Sequence, residues 1–80
     1  MPDPTYTPSK LQKAVTGNMR MMLAQKNLSR AELARRVSRD PAWVTRRLND
    51  VTALTLDDVS TVAVALEVDP ADLFPVEVGS

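Results

Sequence analysis

LSRAELARRVSRDPAWVTRRLND, residues 28–50, holds two helix starts and one tight turn. Ser29-Arg30-Ala31-Glu32 has the S-x-x-E spacing of a capping box. In such a box a serine hydroxyl accepts from the backbone amide three residues on, and a glutamate there reaches back. Leu28 and Leu33 flank the box at the positions of a hydrophobic staple. Leu33, Ala34 and Val37 supply a short buried face, which predicts a helix of barely nine residues. Asp40 then caps and Pro41 opens a third helix, where a proline's missing N–H removes no hydrogen bond. The turn around Ser38-Arg39-Asp40 is about three residues, too short for antiparallel packing, so the two helices should cross steeply. In the third helix Val44 and Leu48 face inward, Trp43 and Arg47 flank them, and Thr45 and Arg46 face away.

Outward from this centre the punctuation continues. Upstream, Leu11, Val15, Met19, Met22 and Leu23 recur at spacings of three and four, the stripe of an amphipathic helix. Thr7-Pro8 suits its cap and first residue, and Asn27, which tolerates a left-handed backbone, suits its stop. Downstream, Asn49–Ala53 reads as a loop. Thr55-Leu56-Asp57-Asp58 caps a fourth helix, with Leu54 and Val59 as staple and Val59, Val62, Ala63 and Leu66 at helical period. Asp69-Pro70-Ala71-Asp72 starts a last short element, stapled by Val68 and Leu73, with Phe74 as an apolar plug and Pro75 as its end. The expectation is an all-α domain over 9–74, with a flexible arm over 1–8 and a short tail over 75–80.

Eighty residues make one domain at most. With no cysteine and no histidine, the chain lacks disulfides, the commonest zinc ligands and the commonest general base. No enzyme activity, cofactor, metal or small-molecule substrate is expected. No apolar run reaches the ~18–20 residues of a membrane span, and MPDPTYTP lacks the features of a signal peptide. The expectation is a cytoplasmic protein with no membrane partner. Net charge is zero, but the charges are sorted. All ten basic residues lie between Lys10 and Arg47, opposed there only by Glu32 and Asp40, which leaves +8. Leu48–Ser80 carries seven acidic residues and no basic one. Such segregation is the footprint of a protein that turns one face to a polyanion.

Residues 18–74, through LSRAELARRVSRDPAWVTRRLND and LTLDDVSTVAVALEVDPADLF, resemble the lambda-repressor/Cro family of helix-turn-helix DNA-binding domains. The resemblance implies a compact five-helix fold. Ala34, Val44 and Leu66 stand where the family packs its core. Ser38 and Asp50 stand where the family usually has glycine. Leu23 and Leu48 stand where many members pair an arginine with a glutamate. Replacing both members of a buried ion pair by apolar groups can be neutral or stabilising.

The resemblance also implies a site. The third helix, 41–49, would lie in the major groove and read bases with Ala42, Thr45 and Arg46. An arginine can grip guanine O6 and N7, and threonine or alanine can touch a thymine methyl. Arg30, in the first turn of the second helix, and Asn49 match phosphate-contacting positions, with Arg35 and Arg39 as further backbone candidates. Pro41, Trp43 and Arg47 are close by and can face DNA. Trp43 reads first as a packing residue, and Arg47 as its cover. The implied protein is a transcriptional regulator of the phage Cro or immunity-repressor type, bound to an operator as a homodimer. The alternative is a protein-interaction module on the same fold, an antitoxin or adaptor, using the acidic half and Val76 and Val78. The charge pattern favours DNA, because an adaptor has no need of +8 around the reader helix.

Overall fold

The computed structural model describes residues 6–76. Four α-helices follow one another: α1 (Lys10–Gln25), α2 (Arg30–Val37), α3 (Pro41–Leu48) and α4 (Leu56–Leu66). A 3-10 turn, Pro70–Leu73, closes the chain. No strand occurs among the described residues. The fifth helix implied by the family is therefore a single 3-10 turn. Pro70 opens it, Asp69 accepts from the Ala71 amide at 2.9 Å, and Phe74 is already extended ahead of Pro75, so no α-helical turn can propagate.

Each helix start is fixed by one side chain accepting from the backbone. Ser29 accepts from Glu32, Asp40 from Trp43 and Thr55 from Asp58. Only Thr55 completes a reciprocal box, with the Asp58 carboxylate accepting the Thr55 amide. Glu32 instead turns forward to Arg35 and Arg36. Pairing with two guanidinium groups competes there with reaching back to one amide. At α1 the cap is Ser9, not Thr7, and Pro8 precedes the helix. Ahead of the helix, the Tyr6 hydroxyl donates to Gln12 Oε1 at 2.6 Å. Residues 1–5 of the expected arm and 77–80 of the expected tail, Val78 included, lie outside the described residues.

All four α-helices end the same way. Asn27, Ser38, Asp50 and Glu67 have φ between 56° and 60°. After each, the next amide reaches back to a carbonyl five residues earlier: Leu28 to Leu23, Arg39 to Ala34, Val51 to Arg46 and Val68 to Ala63. This is the Schellman closure, usually built on glycine. None of the four is glycine, and a left-handed L-residue costs roughly 1 kcal/mol or more. Leu28, Val51 and Val68, which follow three of them, are at least half-buried, so local strain is offset by apolar burial.

The core is Val15, Met19 and Leu23 from α1, Leu33 and Ala34 from α2, Val44 and Leu48 from α3, Val59, Val62, Ala63 and Leu66 from α4, and Leu73. The staple residues Leu28, Leu54 and Val68, with Phe74, pack on its edge. Leu11 is an exception to the expected stripe, being 53% exposed. Its place on the inner face is taken by Gln12 and Thr16, both buried. They face the loop that follows α3, whose polar backbone an apolar side chain could not satisfy.

Candidate nucleic-acid interface

The inner side of α3 is held by Val44 and Leu48, which leaves its other side free. Ala42, Thr45, Arg46 and Asn49 recur at spacings of three, one and three, and all four are exposed. On a helix this spacing gathers them on one face. Pro41 is exposed at the first helical position, and Asp40 fixes the helix start by accepting from the Trp43 amide at 2.8 Å. Three expected base readers and one expected backbone ligand are thus displayed together by one short helix.

The other expected backbone ligands lie on α2 and the turn. Arg30 is the first residue of α2 and half-buried. Arg35 is exposed and forms an ion pair with Glu32, an i,i+3 pair on the helix surface. Exposed pairs of this kind contribute about 0–1 kcal/mol and yield easily to a competing phosphate. Arg39 is exposed in the turn, with its guanidinium carbon 5.4 Å from the centre of the Trp43 ring.

Arg47 is turned away from the Ala42–Arg46 face. Its guanidinium lies over Trp43 at 4.2 Å, and its Nε donates to Asp58 Oδ2 at 3.1 Å. Trp43 is half-buried against the edge of the core. The indole therefore packs and is covered by Arg47, with one arginine from the turn and one from α3 beside it.

Several residues that position the site had no assigned role in the sequence. Arg20 of α1 donates to the Leu48 carbonyl at the end of α3. A cation there complements the negative end of the helix dipole. Asp50, just past α3, accepts from Thr16 Oγ1 at 3.0 and 3.1 Å and from Gln12 Nε2 at 3.2 Å. Gln12 also donates to the Thr52 carbonyl at 3.0 Å and accepts the Leu54 amide at 3.0 Å. Arg36 reaches the Ala65 carbonyl near the end of α4 at 3.2 Å. The signal for Gln12 and Thr16 was present in the sequence: two polar residues on the same helical face as Met19 and Leu23.

No group of three or more acidic, histidine or cysteine side chains that could hold a metal occurs among the described residues. No helix among them is long and apolar enough to cross a membrane.

A model of the Cro/C1-type HTH DNA-binding domain matches residues 18–77 of this chain. Two solved structures are similar. One is described as the clp gene regulator ClgR from C. glutamicum, at 21% identity and a TM-score of 0.75, over 82% of this chain and 86% of that one. The other is described as a hypothetical transcription factor, NHTF, from Neisseria, at 27% identity and a TM-score of 0.77, over 90% of this chain and 85% of that one. No curated protein sequence matches the chain.

Proposed function

Because the chain belongs to the Cro/C1-type helix-turn-helix DNA-binding domain family, we propose that this DNA-binding regulator is a sequence-specific transcriptional repressor of the Cro or immunity-repressor type. It is a cytoplasmic protein without catalytic activity, and α3, with Asn49 as its C-cap, enters the major groove of a double-stranded operator. The observation that carries this reading is the exposed face of Ala42, Thr45, Arg46 and Asn49, on the helix that closes the stretch holding all ten basic residues.

Arg46 reads a guanine through O6 and N7, while Ala42 and Thr45 pack on thymine methyls. Asn49, Arg30, Arg39 and Arg35 hold phosphates on either side and fix the register of the helix. Pro41 and Trp43 border the reading face, and Arg47 supports Trp43. One eight-residue helix offers few base contacts. The protein therefore binds as a homodimer on two half-sites, about one helical turn or ~34 Å apart. The description of the Neisseria structure as a hypothetical transcription factor supports the regulatory reading.

Selection of bound sequences from a random duplex pool tests it. The reading predicts a palindromic consensus with a guanine at one position of each half-site. Recovery of no preferred sequence, with retention of a protein partner instead, would replace it by the adaptor reading.

A further inference from the structure

The last turn of α3 is tied to α4 through Arg47, by a chain of contacts that begins at the α4 cap. Asp58 closes the capping box: its amide donates to Thr55 Oγ1 at 2.9 Å and its Oδ2 accepts the Thr55 amide at 3.0 Å. The same Oδ2 accepts Arg47 Nε at 3.1 Å. The two side chains of this ion pair are only 14% and 20% exposed, so the pair is shielded from solvent. Arg47 in turn lies over the Trp43 ring at 4.2 Å and donates to the Trp43 carbonyl at 3.5 Å. The cap of α4 therefore holds Arg47, and Arg47 covers one face of the indole, which also packs on the edge of the core.

Two consequences follow for a helix that reads DNA. A guanidinium held by a shielded carboxylate has its charge met and its donors directed inward. It is a poor phosphate ligand, and a phosphate is the contact that binds every sequence alike. Trp43 sits one residue from Ala42 and three from Arg46 in the same helix. An indole packed in one position gives the reading face a fixed border and one docking angle, and a geometric match of this kind separates right from wrong bases.

We propose that Asp58, which lies on α4 and outside the reading helix, is a positioning residue for sequence discrimination. Through Arg47 it fixes Trp43 beside the base-reading face, and it withholds the Arg47 charge from the DNA backbone. The proposal rests on the DNA-reading function of α3.

The test is Asp58→Asn, which keeps an oxygen able to cap Thr55 and removes the charge that holds Arg47. Asp57→Asn is the control, because Asp57 is an exposed neighbour in the same first turn and its loss changes net charge equally. Three readouts are compared: acrylamide quenching of Trp43, the single tryptophan, in the free protein below its melting temperature; affinity for random duplex against salt; and the ratio of selected-site to random affinity. Asp58→Asn should raise quenching. It should also tighten random-duplex binding about tenfold near 0.1 M salt, with a slope steeper by about 0.9, the value of one added phosphate contact. Its selected-to-random ratio should fall. Asp57→Asn should leave quenching and ratio at the parent values.

Asp58→Asn with unchanged quenching and an unchanged ratio, or equal behaviour of the two variants, would overturn the proposal. If the parent protein binds no duplex at all, the DNA-reading function fails, and the role in discrimination fails with it. The quenching experiment would still separate that failure from failure of the Asp58–Arg47–Trp43 contact itself.

Discussion

The two ends of α3 are fastened by different chemistry. The N-terminal end is held by charge: the Asp40 carboxylate accepts the Trp43 amide, and Arg47, rooted in the last turn, reaches back over Trp43 to Asp58. The C-terminal end is held mainly by buried neutral groups, Gln12 and Thr16, around the single carboxylate of Asp50, with Leu48 beneath them and Arg20 on its carbonyl. Partly buried ion pairs are screened by salt much less than exposed ones. Helix α3 therefore has one end whose setting depends on the carboxylates of Asp40 and Asp58 and one end that serves as a largely neutral anchor.

The anchor should be the harder end to lose. Leu48 is 1% exposed, and Leu48→Glu would bury a charge without a partner. The expected loss is about 3–5 kcal/mol, read as a lower midpoint in urea denaturation. Leu23, 5% exposed in the same core cluster, is the position from which an arginine could answer it. Leu23→Arg in the same chain should recover part of the loss, and a double variant no more stable than Leu48→Glu would break the assignment of those two positions.

Gln12→Leu sharpens the comparison at the same end. It removes the partner of Tyr6, Asp50, Thr52 and Leu54 at once. Leaving such groups partly unsatisfied should cost about 2–3 kcal/mol, with little dependence on salt. A loss that disappears at high salt would show that this end is held by exposed charge instead.

Between the two ends lies the reading face. Arg46→Ala should weaken binding to the selected site by about 1–3 kcal/mol and relax one base position. Arg30→Ala should weaken binding to all sequences alike and lower the salt slope by about one unit. Equal effects of the two changes on selected and random duplex would remove the division into reader and clamp.

The smallest effect is expected in the turn that leads into the charged end. Ser38 has φ 58°, a conformation that glycine adopts without a steric penalty. Ser38→Gly should stabilise by about 0.5 kcal/mol, the relief of strain being partly offset by a freer unfolded chain. Differential scanning calorimetry would read it as a melting temperature a few degrees higher.

What the sequence made legible divides along the same line. The caps at Ser29, Asp40, Thr55 and Asp69 were readable because donor and acceptor are two or three residues apart. The apolar spacing likewise marked Val44 and Leu48 as inward, which leaves Ala42, Thr45 and Arg46 outward. The anchor was not readable in the same way. Gln12 and Thr16 meet partners 34 to 42 residues away, and local spacing carries no record of such pairs. Counting Leu11 into the α1 stripe hid them, since the stripe runs instead through polar residues where it meets a loop. Arg47 shows the same limit: flanking Trp43 was visible from an i,i+4 spacing, but Asp58, which takes its charge, lies in another helix. Glu32 was within reach of two local roles, the reciprocal box and the pairing with Arg35 and Arg36, and spacing alone did not choose between them.

The central claim, that α3 enters a DNA groove, is tested most directly by the tryptophan at its start. Entry of α3 into a groove of duplex DNA must change the solvent and the charge around Trp43, which is only half-buried in the free protein. Titration of duplex into the protein at low salt should give a saturable change in fluorescence and anisotropy. The apparent affinity should fall with salt, with a logarithmic slope of about −5 if six phosphates are contacted. No change in either signal across a range of duplexes at low salt, with a response only to a protein partner, would contradict it.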